Sequence, residues 1–328
     1  MIELKLSDDF RASFFALGAR IQGIWTPDKH GRIQDVVLGY DTEREYLEKH
    51  MYHGAVCGRY ANRIGGASFS IDGKSYNVVA NDGRNCLHGG SPNLSELVWK
   101  VEEVSDTSVL FSYLSKAGEA GFPGSVQFWV RYSLTSDHSL HIQFNAETDA
   151  PTPINLTCHP YFNLSGEGAS SCLDHLVQIH ADSIVEVDVD CIPTGAYAPV
   201  YKSPFDFNTP KPIGQHINSQ DQQLMYGNGY DHCFVTNQQL QAKVVDPHSG
   251  RTLEVYSSYP GVQFYTANWL GETGKKQHLY KQRSAFCLEP QFYPDAPNHN
   301  HFPNTILRPG EKYEHEIRYT FGTTNFTP

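Results

Sequence analysis

Apolar and polar residues alternate with a period of two through most of this chain, and turn residues break the alternation at short intervals. Val126-Gln-Phe-Trp-Val-Arg-Tyr-Ser-Leu134 and Ser139-Leu-His-Ile-Gln-Phe144, joined by Ser136-Asp-His, predict one hairpin. Phe69 to Val78 predicts another, with Asp72-Gly73 at its tip, because that pair tolerates the positive φ of a two-residue turn. Lys243-Val-Val245 and Leu253-Glu-Val-Tyr256 flank the turn Asp246-Pro-His-Ser-Gly250. Leu176–Ile179 and Ile184–Val187 read as a further pair, Val109–Tyr113 as a lone strand, and Tyr313–Phe321 as a closing one. Helical periodicity is sparse. Thr42 to His50 predicts a short helix capped by Asp41 or Thr42, and Gly214 to Met225 holds room for a second. There is no regular βαβ alternation, fixed-period repeat or Pro/Gly/Ser-rich linker. The expected fold class is mainly β: one large antiparallel β-sandwich domain spanning residues 1–328.

Composition narrows the function classes. At 39% hydrophobic and 19% charged, the 328 residues can bury a sizeable core. A net charge of -11 gives no electrostatic reason to bind nucleic acid or an anionic membrane. No segment has the apolar length of a membrane span or a signal peptide. Seven scattered cysteines, without a Cys-x-x-Cys pair, point to reduced thiols and a cytoplasmic location. The sequons at Asn155 and Asn163 flank a candidate site that glycans would obstruct, which agrees with that location.

Two distant segments carry the candidate chemistry. In Asn155-Leu-Thr-Cys-His159-Pro-Tyr-Phe-Asn-Leu164, a histidine sits inside a strand-like run, where it either completes a polar core or exchanges protons near neutral pH. In Phe286-Cys-Leu-Glu289-Pro-Gln-Phe-Tyr-Pro-Asp295, a carboxylate ends an apolar strand. Such a group is costly there unless it is paired, hydrated or functional, and partial burial moves its pKa toward neutral. Brought together, they form a proton donor and acceptor that need no metal or cofactor. Leu87-His88-Gly89-Gly90 places another histidine at a sharp turn. Gly58-Arg59-Tyr-Ala-Asn62-Arg63-Ile-Gly65 concentrates guanidinium donors that suit hydroxyl or carboxylate partners, or else pin a loop. Asp231 is a carboxylate able to grip vicinal hydroxyls, or a turn residue. His299 and His301 sit in an Asn/Pro-rich loop that argues against a metal site. Phosphate-loop, nucleophile-elbow and zinc-helix motifs do not occur. A glycosidase built on Asp231 and Glu289 would leave both histidines without a role.

Seven strings in order across the chain resemble the galactose mutarotase (aldose 1-epimerase) family: Gly58 to Ile64, Asn85 to Gly90, Gly121 to Gly124, Asn155 to Leu164, Tyr230 to Phe234, Val262 to Asn268, and Leu288-Glu289 with Pro294 to Asn298. The resemblance implies a mutarotase-type sandwich with its site in a cleft on one face. By the same resemblance His159 is the general acid and Glu289 the general base, while His88, Arg63, Asn62, Asp231 and Gln263 hold the sugar. Cys158 departs from the asparagine that many relatives carry, which leaves the support of His159 open, although the Cys158 side chain should face away.

The implied reaction interconverts α and β anomers of a free aldohexose such as galactose or glucose. Glu289 takes the C1 hydroxyl proton and His159 protonates the ring oxygen, with the two meeting on opposite sides of the hemiacetal carbon. His88 and Arg63 polarise oxygen, and Phe264 or Tyr265 stacks on the pyranose. The substrate is the only partner implied, no cofactor is required, and the oligomeric state is unspecified. The alternatives are a hexose-6-phosphate 1-epimerase and a non-catalytic sugar-binding protein on the same scaffold.

Overall fold

The computed structural model describes residues 1–49 and 51–324. Strands dominate. A nine-stranded antiparallel sheet runs in the order Lys100–Val104, Ser108–Ser115, Val126–Thr135, Ser139–Thr148, Tyr313–Thr323, Arg251–Ser257, Leu240–Val245, Leu176–Ile179, Lys211–Pro212. A five-stranded sheet runs Pro193–Pro199, Ala181–Val187, Asp231–Thr236, Gly261–Tyr265, Cys287–Gln291. A four-stranded sheet of Ile2–Lys5, Arg11–Phe15, Arg20–Pro27 and Ile33–Asp35 adds to the N-terminal side.

The period-two reading holds where it was strongest. Along Val126–Thr135, Val126, Phe128, Val130, Tyr132 and Leu134 are buried and the residues between them are partly exposed. The hairpin after Ser68–Ile71 turns on Asp72 and Gly73, whose φ values are 51° and 78°. The faces of the two larger sheets meet through Phe162, Phe234, Phe264, Leu288, Ile317 and Tyr319, all buried in one core. The Tyr319 hydroxyl donates to the Leu288 carbonyl at 2.9 Å, so the five-stranded sheet is bonded to the larger one as well as packed on it.

One expectation is corrected. Leu176–Ile179 and Ala181–Val187 do not pair with each other. Only His180 separates them, too little chain for a hairpin, so the chain leaves one sheet and enters the other there. The second helix, Gln222–Gly227, starts inside the segment Gly214 to Met225 and runs two residues past it; Asp221 accepts from the backbone N–H groups of Gln223 and Leu224 and fixes the start. The first is Glu43–Lys49. Thr42 and Glu45 exchange hydrogen bonds as a capping box. Asp41 accepts instead from the Lys276 N–H. The expected last residue of that helix, His50, lies outside the described residues.

Candidate active site

The two segments singled out in the sequence lie antiparallel, stitched by side chains as well as backbone. Asn155 Oδ1 accepts the Phe292 N–H at 2.9 Å, and the Thr157 hydroxyl donates to the Pro290 carbonyl at 2.8 Å. Phe162 and Phe286 exchange backbone hydrogen bonds at 2.7 and 3.0 Å. Between these ties, His159 meets Glu289: His159 Nε2 lies 3.5 Å from Glu289 Oε2. The His159 backbone is itself clamped, donating to Ala55 O at 2.9 Å and accepting from Gly54 N–H at 2.8 Å.

Strand alternation places the rest. In the five-stranded sheet, Asp231 pairs with Tyr265, Gln263 with Glu289, and Tyr265 with Cys287. These side chains therefore share one face, while Phe264 and Leu288 point into the core. Phe264 stacks on Tyr230 there, so it is unable to reach a sugar, and Tyr265 alone of the two stands near His159, with ring centroids 6.3 Å apart. Gln263 Nε2 donates to Asp231 Oδ1 at 2.7 Å. Arg63 reaches Asp82 at 2.8 Å and Asp231 at 3.8 Å.

His88 and Asn62 hold each other. The His88 N–H donates to Asn62 O at 3.0 Å, and the Asn62 N–H donates to His88 Nδ1 at 3.1 Å. The His88 ring lies edge-on to His159, with centroids 5.4 Å apart. Gly89 permits this arrangement because a Cβ there would meet the Gly58 carbonyl oxygen at 2.2 Å. The glycines of this loop thus allow close approach to backbone. Arg59, by contrast, is a loop pin. It is buried and donates to Ser115, Lys116, Pro123 and Gly124.

Burial shapes the electrostatics of the site, as it does for the buried His232 elsewhere in the core. Burial pushes His159 down from 6.5 to about 3. Burial, followed by the nearby Asp231 charge, pushes Glu289 well above its ordinary value. Burial drives His88 well below 6.5, reinforced by His159 and Arg63. Asp231 is raised by burial, with Arg63 and Gln263 working against that shift. Glu289 Oε2, His159 Nδ1 and Gln263 Oε1 are buried without a hydrogen-bond partner. Buried polar atoms are normally satisfied, so this group of orphans marks a place prepared for a polar ligand. A cleft of about 600 Å³ opens over Arg63 and Asp231, rimmed by Asp82, Arg84, Asp190, Tyr226 and the exposed Trp269.

Sequence reasoning missed an aromatic cage and a dyad behind it. Tyr161 stacks on His159 at 4.9 Å and Tyr52 lies parallel to it at 6.0 Å. Behind Tyr161 stands His53, its ring 4.3 Å from the Tyr161 ring, and His53 Nε2 is 2.7 Å from Glu272 Oε1. The chain separation of 219 residues between His53 and Glu272 left no local signal for that contact. Cys158 faces away from His159, as alternation requires, with its sulfur 3.4 Å from the Tyr132 hydroxyl and 3.5 Å from Gly54 O. The loop pair His299 and His301 is otherwise engaged: His299 Nε2 lies 3.3 Å from Asp295, and His301 Nε2 lies 2.7 Å from Gly195 O.

Comparison with known proteins identifies the family. The family model described as aldose 1-epimerase matches residues 1–320. Galactose mutarotases of Sus scrofa and Homo sapiens are each 42% identical over 321 residues, covering 96% of this chain and 92% of the relative. The aldose 1-epimerase of Escherichia coli K12 is 35% identical over 93% of this chain and 90% of its own length. A crystal structure of an aldose epimerase homologue from C. elegans superposes with a TM-score of 0.93 at 34% identity, covering 99% of both chains. With a family match across nearly its whole length and relatives of this identity, the chain belongs to the aldose 1-epimerase family of isomerases.

Proposed function

We propose that Glu289 and His159 are the base and acid of this epimerase and that its substrate is a free aldohexose such as galactose or glucose. The observation that carries the assignment is the buried 3.5 Å contact between His159 Nε2 and Glu289 Oε2. The pair holds one transferable proton, on the imidazole or on the carboxyl, and ring opening needs one proton removed and one delivered. Burial favours that proton on Glu289, and its transfer across the 3.5 Å contact to His159 gives the reactive pair, in which Glu289 takes the proton of the C1 hydroxyl as His159 protonates the ring oxygen. The aldehyde then turns about C1–C2 and closes on its other face with the proton roles reversed, each group contributing roughly 10²–10⁴ in rate. At 3.5 Å no carbon fits between the two side chains. They therefore engage the two oxygens of the hemiacetal from its edge, or part as the sugar enters.

His88, Asn62, Arg63, Asp231 and Gln263 position the sugar in this reading, with Tyr265 against it. The cleft supports an uncharged substrate. Its arginines, Arg63 and Arg84, are already matched to Asp82, Asp231 and Asp190, which leaves no spare cation for a 6-phosphate among the described residues that line it. The family match over residues 1–320 supports reading the chain as one domain. Seven free cysteines, and the full burial of the sequon residues Asn155 and Asn163, support a reducing, cytoplasmic location. No helix among the described residues is long and apolar enough to cross a membrane.

Polarimetry on freshly dissolved α-D-galactose and α-D-glucose, with glucose 6-phosphate in parallel, tests both parts. Fast exchange of the free sugars that falls at least a hundredfold in Glu289→Gln and in His159→Asn is expected. Near-wild-type rates in either variant would refute the role assignment. A preference for the phosphorylated sugar would overturn the substrate, and galactose binding without anomer exchange would mark a binding protein.

A further inference from the structure

The face that carries Glu289 also carries a thiol. Cys287 and Glu289 are two residues apart on one strand and so project to the same side, and Cys287 pairs in register with Tyr265 beside His159. One donor atom from each of His159, Cys287 and Glu289 lies within 4.8 Å of the other two, and all three residues are buried. The donors around a tetrahedral zinc ion, with bonds of about 2.0–2.3 Å, are roughly 3.3–3.8 Å apart. His159 Nε2 and Glu289 Oε2, at 3.5 Å, already have that spacing. Glu289 Oε2 has no hydrogen-bond partner, so a cation there breaks no existing bond to that oxygen.

We propose that His159, Cys287 and Glu289 form a binding site for a thiophilic divalent cation, zinc or cadmium, whose occupancy blocks the sugar site. The donor set selects the class. A sulfur beside an imidazole suits zinc and cadmium, whereas magnesium and calcium require oxygen cages. Three protein donors leave a fourth position for water. Loading displaces the Cys287 thiol proton and the proton shared by His159 and Glu289, so two protons are released for each ion bound and affinity rises with pH. The ion occupies the lone pairs that the acid–base reaction uses. This consequence rests on the proposed function; the site itself does not.

The test uses full-length protein stripped with EDTA and kept reduced. Calorimetric titration with zinc chloride is expected to show one site, weakened at least tenfold in Cys287→Ser and in Glu289→Gln. Cadmium chloride is expected to raise a thiolate-to-metal charge-transfer band, lost in Cys287→Ser. The same band should weaken in Glu289→Gln, which keeps all seven cysteines and guards against misfolding of the first variant. Zinc affinity unchanged in both variants, or no cadmium–sulfur band in the wild type, overturns the site. Saturating galactose is then added. If it weakens zinc binding, site and sugar overlap. If metal binding depends on both residues yet ignores galactose, the cation site stands and the placement of the sugar falls.

Discussion

His88 Nδ1 accepts the backbone N–H of Asn62 at 3.1 Å, which leaves the imidazole one tautomer. A nitrogen that accepts carries no proton, so the ring hydrogen sits on Nε2, and burial keeps the ring neutral. The ring presents a single N–H donor in the site, 5.4 Å centroid to centroid from His159.

That donor is expected to polarise a sugar oxygen, and His88→Asn tests it. His88 has φ 51°, a conformation that asparagine tolerates better than alanine, so the variant should keep its backbone. Loss of one such donor is expected to lower kcat by about 10²–10³ with little change in melting temperature. Polarimetric kinetics alongside thermal unfolding reads both quantities, and an unchanged kcat would remove His88 from the reaction.

The pH profile should lack the usual histidine inflection. With His159 pushed down to about 3 and Glu289 pushed up, the pair keeps one proton throughout the interval between them. Enzymatic kcat/KM, after subtraction of spontaneous mutarotation, should be level across that interval. It should fall in strong acid, as a second proton is bound, and in base, as Glu289 loses its own. A His159 imidazole that titrates at its ordinary 6.5, read by NMR, would contradict the burial argument.

Glu289 also costs the fold stability, and the sign follows from its raised pKa. The wild type is least penalised below the ordinary carboxyl value of 4.5, where Glu289 is protonated folded and unfolded alike. Above it the unfolded chain sheds the proton first, so stability falls as pH rises towards the folded value. Glu289→Gln removes this term. Its melting temperature should exceed that of the wild type at pH 7, with the advantage vanishing near pH 4. An advantage independent of pH would point to packing instead.

Thr157→Val keeps the shape of the side chain but deletes the bond to Pro290 O. An unsatisfied buried carbonyl costs about 1–3 kcal/mol. Because that bond ties the His159 segment to the Glu289 segment, kcat should fall more than KM changes. Denaturant unfolding and steady-state kinetics measure the two effects, and a stability loss with intact kcat would make the tie purely structural.

Cys158→Ala tests whether position 158 supports His159. The sulfur lies against Tyr132 and Gly54, away from the cleft. Its loss should cost about 1–2 kcal/mol of stability and leave kcat within about twofold. A large drop in kcat would show that position 158 supports His159 after all.

Alternation and turn chemistry in the sequence determined the β architecture, because a strand with one buried face must repeat every second residue; Val126–Thr135 shows this in full. Alternation also told that Cys158 faces away from His159, and the same rule, carried across Gln263–Tyr265, excludes Phe264 from the site. His159 and Glu289 were legible as candidates because a histidine beside a proline and a carboxylate ending an apolar run are locally anomalous. What only the tertiary structure decided are contacts between residues with no local anomaly. Arg59 and Arg63 share one segment, yet one pins a loop and the other lines the cleft, since their surroundings come from residues 115–124 and from Asp82 and Asp231. The edge between Leu176–Ile179 and Ala181–Val187 was misread because pairing depends on which sheet has a free edge. Tyr52, the His53–Glu272 dyad and the position of Cys287 beside His159 and Glu289 arise from contacts between segments far apart in the chain. Local sequence sets which face a side chain takes; only the folded chain sets what it meets there.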